Sequence, residues 1–193
     1  GSEMCIRDRR DNYMDCPDRE RAQWWGDEVN ELGEAFYALS PSGQKLAVKG
    51  IHELMNWQRE DGTLYAPVPA GNWDKELPLQ MLASVGWYGF YTQYYYSADS
   101  SFVPMIYDRM RRYLHEVWQV DKSGLVIERQ GAWSWGDWGE HVDMGVLTNC
   151  WYYLALKAER AFALQLGKDK DADEISRMMR SIERCFDTKF WTG

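Results

Sequence analysis

An all-α fold is predicted for this chain of 193 residues from three observations. Apolar residues recur at helical spacing through six long segments. Clusters of Ser, Gly, Pro and Asp separate these segments at the places where helices end. Strand-like runs are scarce, and the clearest one covers residues 125–127. We therefore expect a helical domain whose longest loops are rich in aromatic residues.

The first two helices are predicted over residues 17–39 and 43–59. Pro17 suits the first turn of a helix, and the acid Glu20 suits the positive end of its dipole. The Ser-Pro-Ser-Gly run at residues 40–43 separates the two helices.

The third helix is predicted over residues 78–96, after a loop rich in Gly and Pro at residues 60–74. Asp99 or Ser100 then caps a fourth helix, which ends near residue 117.

The last two helices are predicted over residues 142–166 and 170–186, with Gly167 between them. They follow a second long aromatic loop at residues 119–139. The six helices therefore form consecutive hairpins, with the long loops on alternate connections.

The composition argues against several classes of protein. Hydrophobic residues make up 45% of the chain and aromatic residues 15%, so a packed core is expected rather than disorder. A net charge of −8 argues against a nucleic-acid partner, because a phosphate backbone needs a basic face. We expect no membrane span, since no apolar run reaches the length of about 18 residues that one needs.

Neither the cysteines nor the histidines indicate a metal or a cofactor. The four cysteines lack CxxC or Cys/His ligand spacing, and the three histidines lack HExxH spacing. We expect free or buried thiols, no metal and no cofactor.

The amino terminus is interpreted as foreign to the fold. Residues 1–8 read Gly-Ser-Glu-Met-Cys-Ile-Arg-Asp, which is the translation of a common transposon-based sequencing adaptor. We therefore exclude residues 1–9 from the fold. Because the chain also stops directly after a predicted amphipathic helix, residues 10–193 are expected to be a fragment of a larger domain.

The densest cluster of chemically useful side chains lies in residues 15–27, which read DCPDRERAQWWGD. Carboxylates accept hydrogen bonds from sugar hydroxyls, and a protonated carboxyl can donate its proton to a leaving oxygen. Indole faces cover the apolar side of a pyranose ring. The segment therefore indicates a carbohydrate site. In the alternative interpretation, its acids only cap a helix and form ion pairs with Arg19 or Arg21.

This segment resembles the motif of bacterial α-L-rhamnosidases of glycoside hydrolase family 78, Asp-Cys-Pro-Gln-Arg-(Asp/Glu)-Arg-x-x-Trp-x-Gly-Asp. Asp18 stands where Gln is usual, and Ala22, Gln23 and Trp25 also depart from the usual residues. The other motif positions keep their register. The resemblance implies a partial (α/α)6 six-hairpin barrel, of which the six predicted helices form one half.

By this resemblance, Glu20 is the general acid that protonates the glycosidic oxygen. Asp15 and Asp27 hold the sugar hydroxyls, Arg19 contacts the sugar or supports a carboxylate, and Trp24 offers an indole face. On a continuous helix, Glu20 and Asp27 would share a face about two turns apart. A general acid also needs a raised pKa, which partial burial of Glu20 against Trp24 would supply.

A second candidate segment, residues 133–141, reads WSWGDWGEH and resembles the family's Gly-Asp-Trp segment at the mouth of the active site. We expect Asp137 to contact the substrate, and Trp135 and Trp138 to stack against it. Alternatively, the indoles form an apolar plug. His141 is expected to be a hydrogen-bonding loop residue rather than a substrate contact.

Two further segments give weaker indications. Residues 72–80 lie where many family members carry a Trp-x-Asp pair, but Glu76 and Gln80 stand where the aromatic residue and the acid are expected. This departure allows a preferred sugar other than rhamnose. The aromatic run at residues 88–96 is interpreted as packing between helices rather than as a platform for sugars.

The resemblance implies hydrolysis of a terminal α-L-rhamnosyl bond in a glycoside or polysaccharide, with inversion at the anomeric carbon. The family places its general base, a Glu, in a later hairpin, so we expect the base outside this chain and the isolated chain to be inactive. Two alternatives remain open. One is an exo-glycosidase of other specificity on the same barrel, and the other is a non-catalytic sugar-binding or scaffold domain.

Overall fold

The computed structural model describes residues 12–16, 18–69, 74–129, 132–136 and 139–191. This part of the chain contains seven α-helices and one π-helical turn, and its β pairing is limited to two isolated bridges. The predicted all-α fold is confirmed. None of the described helices is long and apolar enough to cross a membrane. The adaptor-like residues 1–9 lie outside the described residues.

The helices form three consecutive hairpins. They are α1 (Trp25–Ala38), α2 (Gly43–Asn56), α3 (Pro78–Val85), α4 (Phe90–Ser97), α5 (Val103–Arg112), α6 (Met144–Gln165) and α7 (Asp169–Phe190). The π-helical turn Tyr113–Val117 continues α5. Most boundaries lie within a few residues of the predicted ones, because the last turns of helices fray.

Two layers of helices surround the core. In the inner layer α1 packs against α3 and α4, and α3 packs against α6. In the outer layer α2 packs against α1 and α5, α5 also packs against α6, and α7 packs against α6. Within the inner layer Trp25 is completely buried and meets Phe90 edge-on, with ring centroids 5.7 Å apart. Truncating such a side chain costs roughly 3–5 kcal/mol, so this contact is a main support of the inner layer.

The first helix begins at Trp25 and not near residue 17, as the sequence predicted. The residues before it form a loop that is closed by Asp15 and Ala22. The Asp15 N–H donates to the Ala22 carbonyl at 3.0 Å, and Asp15 Oδ1 accepts from the Ala22 N–H at 3.0 Å. Arg21 turns the chain with a φ of 52°. Asp15 therefore captures backbone groups that a helix would have paired internally.

The third predicted helix is divided into α3 and α4 at residues 86–89. A Cβ atom on Gly89 would lie 1.9 Å from the carbonyl oxygen of Ser84, so only glycine fits at this turn. Apolar residues continue at helical spacing on both sides of the break, which is why the pattern predicted one helix. The predicted strand at residues 125–127 reduces to a single bridge between Val120 and Val126.

Candidate active site

The first turns of α1, α3 and α6 meet at a cleft of about 480 Å³. Asp27 lines this cleft from α1, Gln80 from α3, Trp151 from α6 and Trp135 from the loop before α6. Asp27 and Trp135 come from the two segments that the sequence singled out, and the fold brings them to one place. A concave site with indoles and a few polar groups suits a small neutral ligand such as a sugar.

Two further motif acids lie side by side in the loop before α1. One side-chain atom of each of Asp15, Cys16 and Glu20 lies within 4.8 Å of the others. The Cys16 thiol donates to Glu20 Oε2 at 3.2 Å. Glu20 and Asp27 do not share a helical face as expected, because Glu20 belongs to the loop and Asp27 to the first turn of α1. The loop itself brings the acids together.

Arg19 controls the charge of Glu20. Its Nε lies 2.6 Å from Glu20 Oε1, and this hydrogen bond lowers the pKa of Glu20 to about 2. The raised pKa that a general acid needs is therefore not present in this state, because Arg19 and not Trp24 is the dominant neighbour. The Arg19 side chain is 83% exposed, whereas that of Glu20 is 11% exposed.

Asp15 and Asp27 have pKa values shifted in the opposite direction. Burial raises the pKa of Asp15, and a hydrogen bond with Glu20 adds to the increase. Although much of Asp27 is exposed, burial of its carboxyl raises its pKa, and the nearby negative charges of Asp15 and Glu20 raise it further. The three acids thus form one electrostatic cluster that reaches the cleft through Asp27, and Glu20 is its most readily ionised member.

Trp24 is not among the cleft-lining residues of the described chain. It is half-buried against the core, and its backbone pairs with Pro67. The next residue, Trp25, donates its backbone N–H to the Ala66 carbonyl at 2.9 Å. This part of the motif anchors the acid loop to the loop before α3, a contact that local sequence patterns do not reveal.

The loop before α6 supplies an indole wall. Trp135 packs against the core and stacks on the exposed Trp133, with ring centroids 5.9 Å apart. Asp137 and Trp138, the other predicted contacts, lie outside the described residues. His141 is exposed and has a φ of 58°, so it turns the backbone at the end of this loop.

The two residues that depart from the family pattern, Glu76 and Gln80, have different surroundings in the structure. The carboxylate of Glu76 accepts hydrogen bonds from Arg129 and from the Tyr113 hydroxyl, which ties it to the protein interior. Gln80 instead lines the cleft. In the sequence Gln80 is visible only as a departure from the family pattern, because its position in the cleft depends on how α3 packs against α1.

The aromatic run divides into a packed part and an exposed part. Phe90 is buried, and Tyr91 stacks on Trp87 with ring centroids 3.9 Å apart, which agrees with packing between helices. Tyr88, Tyr95 and Tyr96 are exposed, and they line a second hollow of about 480 Å³ beside the cleft.

Two layers of helical hairpins, with carboxylates and indoles where the inner layer opens, are typical of part of a six-hairpin glycosidase domain. The chain belongs to one family of this class, the bacterial alpha-L-rhamnosidase 6 hairpin glycosidase domain, whose model matches residues 8–193. None of the curated proteins matches the chain significantly.

Three solved structures share the fold. An α-L-rhamnosidase from Dictyoglumus thermophilum has a TM-score of 0.78 and 19% identity, over 94% of this chain and 21% of that one. A family GH78 rhamnosidase of Bacillus sp. GL1 has a TM-score of 0.80 and 20% identity, over 97% and 19%. A rhamnosidase from Klebsiella oxytoca with rhamnose bound has a TM-score of 0.78 and 19% identity, over 93% and 35%. The chain thus spans between 19% and 35% of the length of these proteins.

Proposed function

We propose that the chain forms one side of the active site of a glycoside hydrolase that removes terminal α-L-rhamnosyl groups. The observation that carries the proposal is the clustering of Asp15, Glu20 and Asp27 beside a cleft walled by Trp135. Membership of the family supports a glycosidase. The Klebsiella oxytoca structure, which holds rhamnose, supports the choice of sugar.

In this proposal Glu20 donates a proton to the leaving oxygen, while Asp15, Asp27 and Arg19 bind the sugar hydroxyls. Because the contact with Arg19 keeps the pKa of Glu20 at about 2, Arg19 must leave Glu20 before the carboxyl can hold a proton near neutral pH. The exposure of Arg19 leaves it free to turn toward a bound sugar. Trp135 forms the stacking wall.

Two contacts of the proposed wall, from Asp137 and Trp138, come from positions outside the described residues. An inverting reaction also needs a general base about 6.5–9.5 Å from the acid, with the attacking water between them. We place this base in a further hairpin, because the described residues form three hairpins of a six-hairpin domain.

An apolar groove of about 470 Å³, lined by Leu154, Ile182 and Phe186, also lies open between α6 and α7.

Binding measurements on the 193-residue chain test the sugar site. We expect methyl α-L-rhamnoside to bind in preference to methyl glucosides and arabinosides. Asp27→Asn should weaken binding roughly tenfold or more, because hydrogen bonds to charged groups contribute about 1.5–3 kcal/mol. Asp18→Asn, an exposed acid of the same loop, is the matched control and should bind normally. Preference for another sugar would favour the exo-glycosidase of other specificity, a reading that the amide of Gln80 in the cleft also permits.

Turnover of nitrophenyl α-L-rhamnoside tests whether the general base lies outside this chain. We expect the chain to bind this substrate without releasing nitrophenol. Release that disappears in Glu20→Gln would show that the base lies within the chain, against the proposal. Failure of the chain to bind any of the sugars would contradict the proposal of a sugar site.

A further inference from the structure

We propose that Gln80 is a specificity-determining residue, whose side-chain amide forms a hydrogen bond with a ring hydroxyl of the sugar in the cleft. The inference rests on the proposed function and extends it to a residue outside both sequence motifs. The ligand class that follows is a neutral pyranoside, because the contact is made by an uncharged amide beside the acid Asp27.

The packing of α3 against α1 places Gln80 in the cleft. A Cβ atom on Gly26 would lie 2.4 Å from Gln80 Cδ, 2.4 Å from Oε1 and 2.8 Å from Nε2. The whole amide therefore lies directly against the backbone of Gly26, where any other residue would displace it. Because Asp27 is the next residue and lines the same cleft, the amide and the acid are neighbours in the site.

The backbone of Gln80 is also held in place. The Ser84 hydroxyl lies 2.6 Å from the Gln80 carbonyl and 3.2 Å from the Trp25 carbonyl, so it can donate to either oxygen. This hydroxyl links α3 to the buried start of α1. A ligand-binding group that is fixed before the ligand arrives loses little entropy on binding.

The amide oxygen of Gln80 lacks a hydrogen-bond partner within the described chain. Its Oε1 is buried and accepts no hydrogen bond from any described residue. A buried amide oxygen without a donor costs about 1–3 kcal/mol, so such a group calls for a partner. Half a turn about the last side-chain bond exchanges Oε1 and Nε2, and the amide can thus offer the cleft an acceptor or a donor. A sugar hydroxyl matches both.

The test compares the 193-residue chain with its Gln80→Ala and Gln80→Glu variants. The probes are methyl α-L-rhamnoside and its three monodeoxy analogues, each lacking one ring hydroxyl, with affinities from calorimetry or ligand-observed NMR. We expect Gln80→Ala to bind the parent probe about three- to tenfold more weakly, in line with the net value of one hydrogen bond. One analogue should bind the variant and the parent chain equally, because it lacks the hydroxyl that Gln80 contacts. Gln80→Glu keeps the shape and should also weaken binding, since it adds a negative charge beside Asp27.

Two control variants separate this contact from general effects. Gly33→Ala lies on α1 where a Cβ meets nothing within 4 Å, and it should leave all affinities unchanged. Gly26→Ala displaces the amide and should reproduce the loss seen in Gln80→Ala.

Each outcome has one meaning. Normal binding by Gln80→Ala, with weakened binding by Asp27→Asn, would overturn this inference and leave the proposed function standing. An equal loss for all four probes would mean that Gln80 acts through packing, which also overturns it. Absence of binding by the unsubstituted chain would overturn the proposed function and this inference with it.

Discussion

Arg19 and Glu20 are neighbours in sequence, and their contact determines how the motif acids hold protons. The hydrogen bond from Arg19 keeps Glu20 ionised, while Asp15 beside it is more readily protonated than usual. A cluster of interacting carboxyls takes up protons as a group. Moving one exposed guanidinium therefore redistributes the protons of the whole loop.

Replacing Arg19 with Gln should raise the pKa of Glu20 from about 2 toward its ordinary value of 4.5, because the main cause of the decrease is removed. Carboxyl carbon shifts followed by NMR over an acid titration measure this change. Arg21→Gln, the exposed arginine of the same loop, is the control and should leave the pKa of Glu20 low. An unchanged Glu20 in Arg19→Gln would contradict the assigned cause.

The contact between Arg19 and Glu20 also predicts how the free energy of unfolding changes at acid pH. Because the pKa of Glu20 is lower in the folded chain, its contribution to the free energy of unfolding is present above pH 4.5 and is lost as the pH falls toward about 2. Arg19→Gln should therefore reduce the dependence of stability on pH in this window.

At the scale of elements, the loop before α1 shows what sequence patterns resolve and what they miss. Pro17 and the following acids are typical of a helix start, so the pattern predicted one there. The side chain of Asp15 pairs with Ala22 instead, and Val68 donates its backbone N–H to the Gln23 carbonyl at 3.1 Å. Residues far apart in the chain thus decide the boundary, and a local signal contains no information about them.

The break between α3 and α4 gives a prediction about glycine. Gly89→Ala should lower the free energy of unfolding by several kcal/mol, because its Cβ would overlap the backbone oxygen of Ser84 at 1.9 Å. Gly33→Ala in α1 should be neutral or stabilising by about 0.5–1 kcal/mol, since alanine favours a helix interior. Urea unfolding followed by circular dichroism compares the two variants. Equal stabilities would show that the turn at residues 86–89 accepts a side chain.

At the scale of the whole molecule, a buried ionic network joins the inner and outer layers. Glu159 of α6 is completely buried, and His115 Nε2 lies 2.9 Å from each of its carboxylate oxygens. Arg111 of α5 lies 3.3 Å from Glu159 and also contacts Glu174 of α7. One carboxylate therefore connects α5, the π-helical turn and α6, and through Arg111 it reaches α7.

Glu159→Ala should lower the free energy of unfolding by about 1–3 kcal/mol, because it removes a completely buried carboxylate that His115 and Arg111 contact. Glu174→Ala removes the other partner of Arg111, but this side chain is 46% exposed, so a loss of about 1 kcal/mol or less is expected. Thermal and urea unfolding measure both. Similar losses in the two variants would show that burial of Glu159 does not set the strength of the network.

The global arrangement was the part least accessible to patterns within the sequence. Periodicity located the helices, but which helices pack together was implied only by the resemblance carried by residues 15–27. The same resemblance named the acids at the cleft. It marked Gln80 only as a departure from the family pattern and did not place it in the cleft, because that position depends on a glycine in α1 and an amide in α3 meeting across the inner layer.

The hollow beside the cleft has a consequence for how copies of the chain behave together. Tyr88, Tyr95 and Tyr96 are 53%, 67% and 52% exposed, and rings of this size attract one another in water. Each copy also carries a net charge of −8, which opposes close approach. Salt shortens the range of that repulsion to about 10 Å at 0.1 M but leaves the attraction between rings intact. Raising the ionic strength should therefore shift the balance from dispersed toward clustered copies in solution.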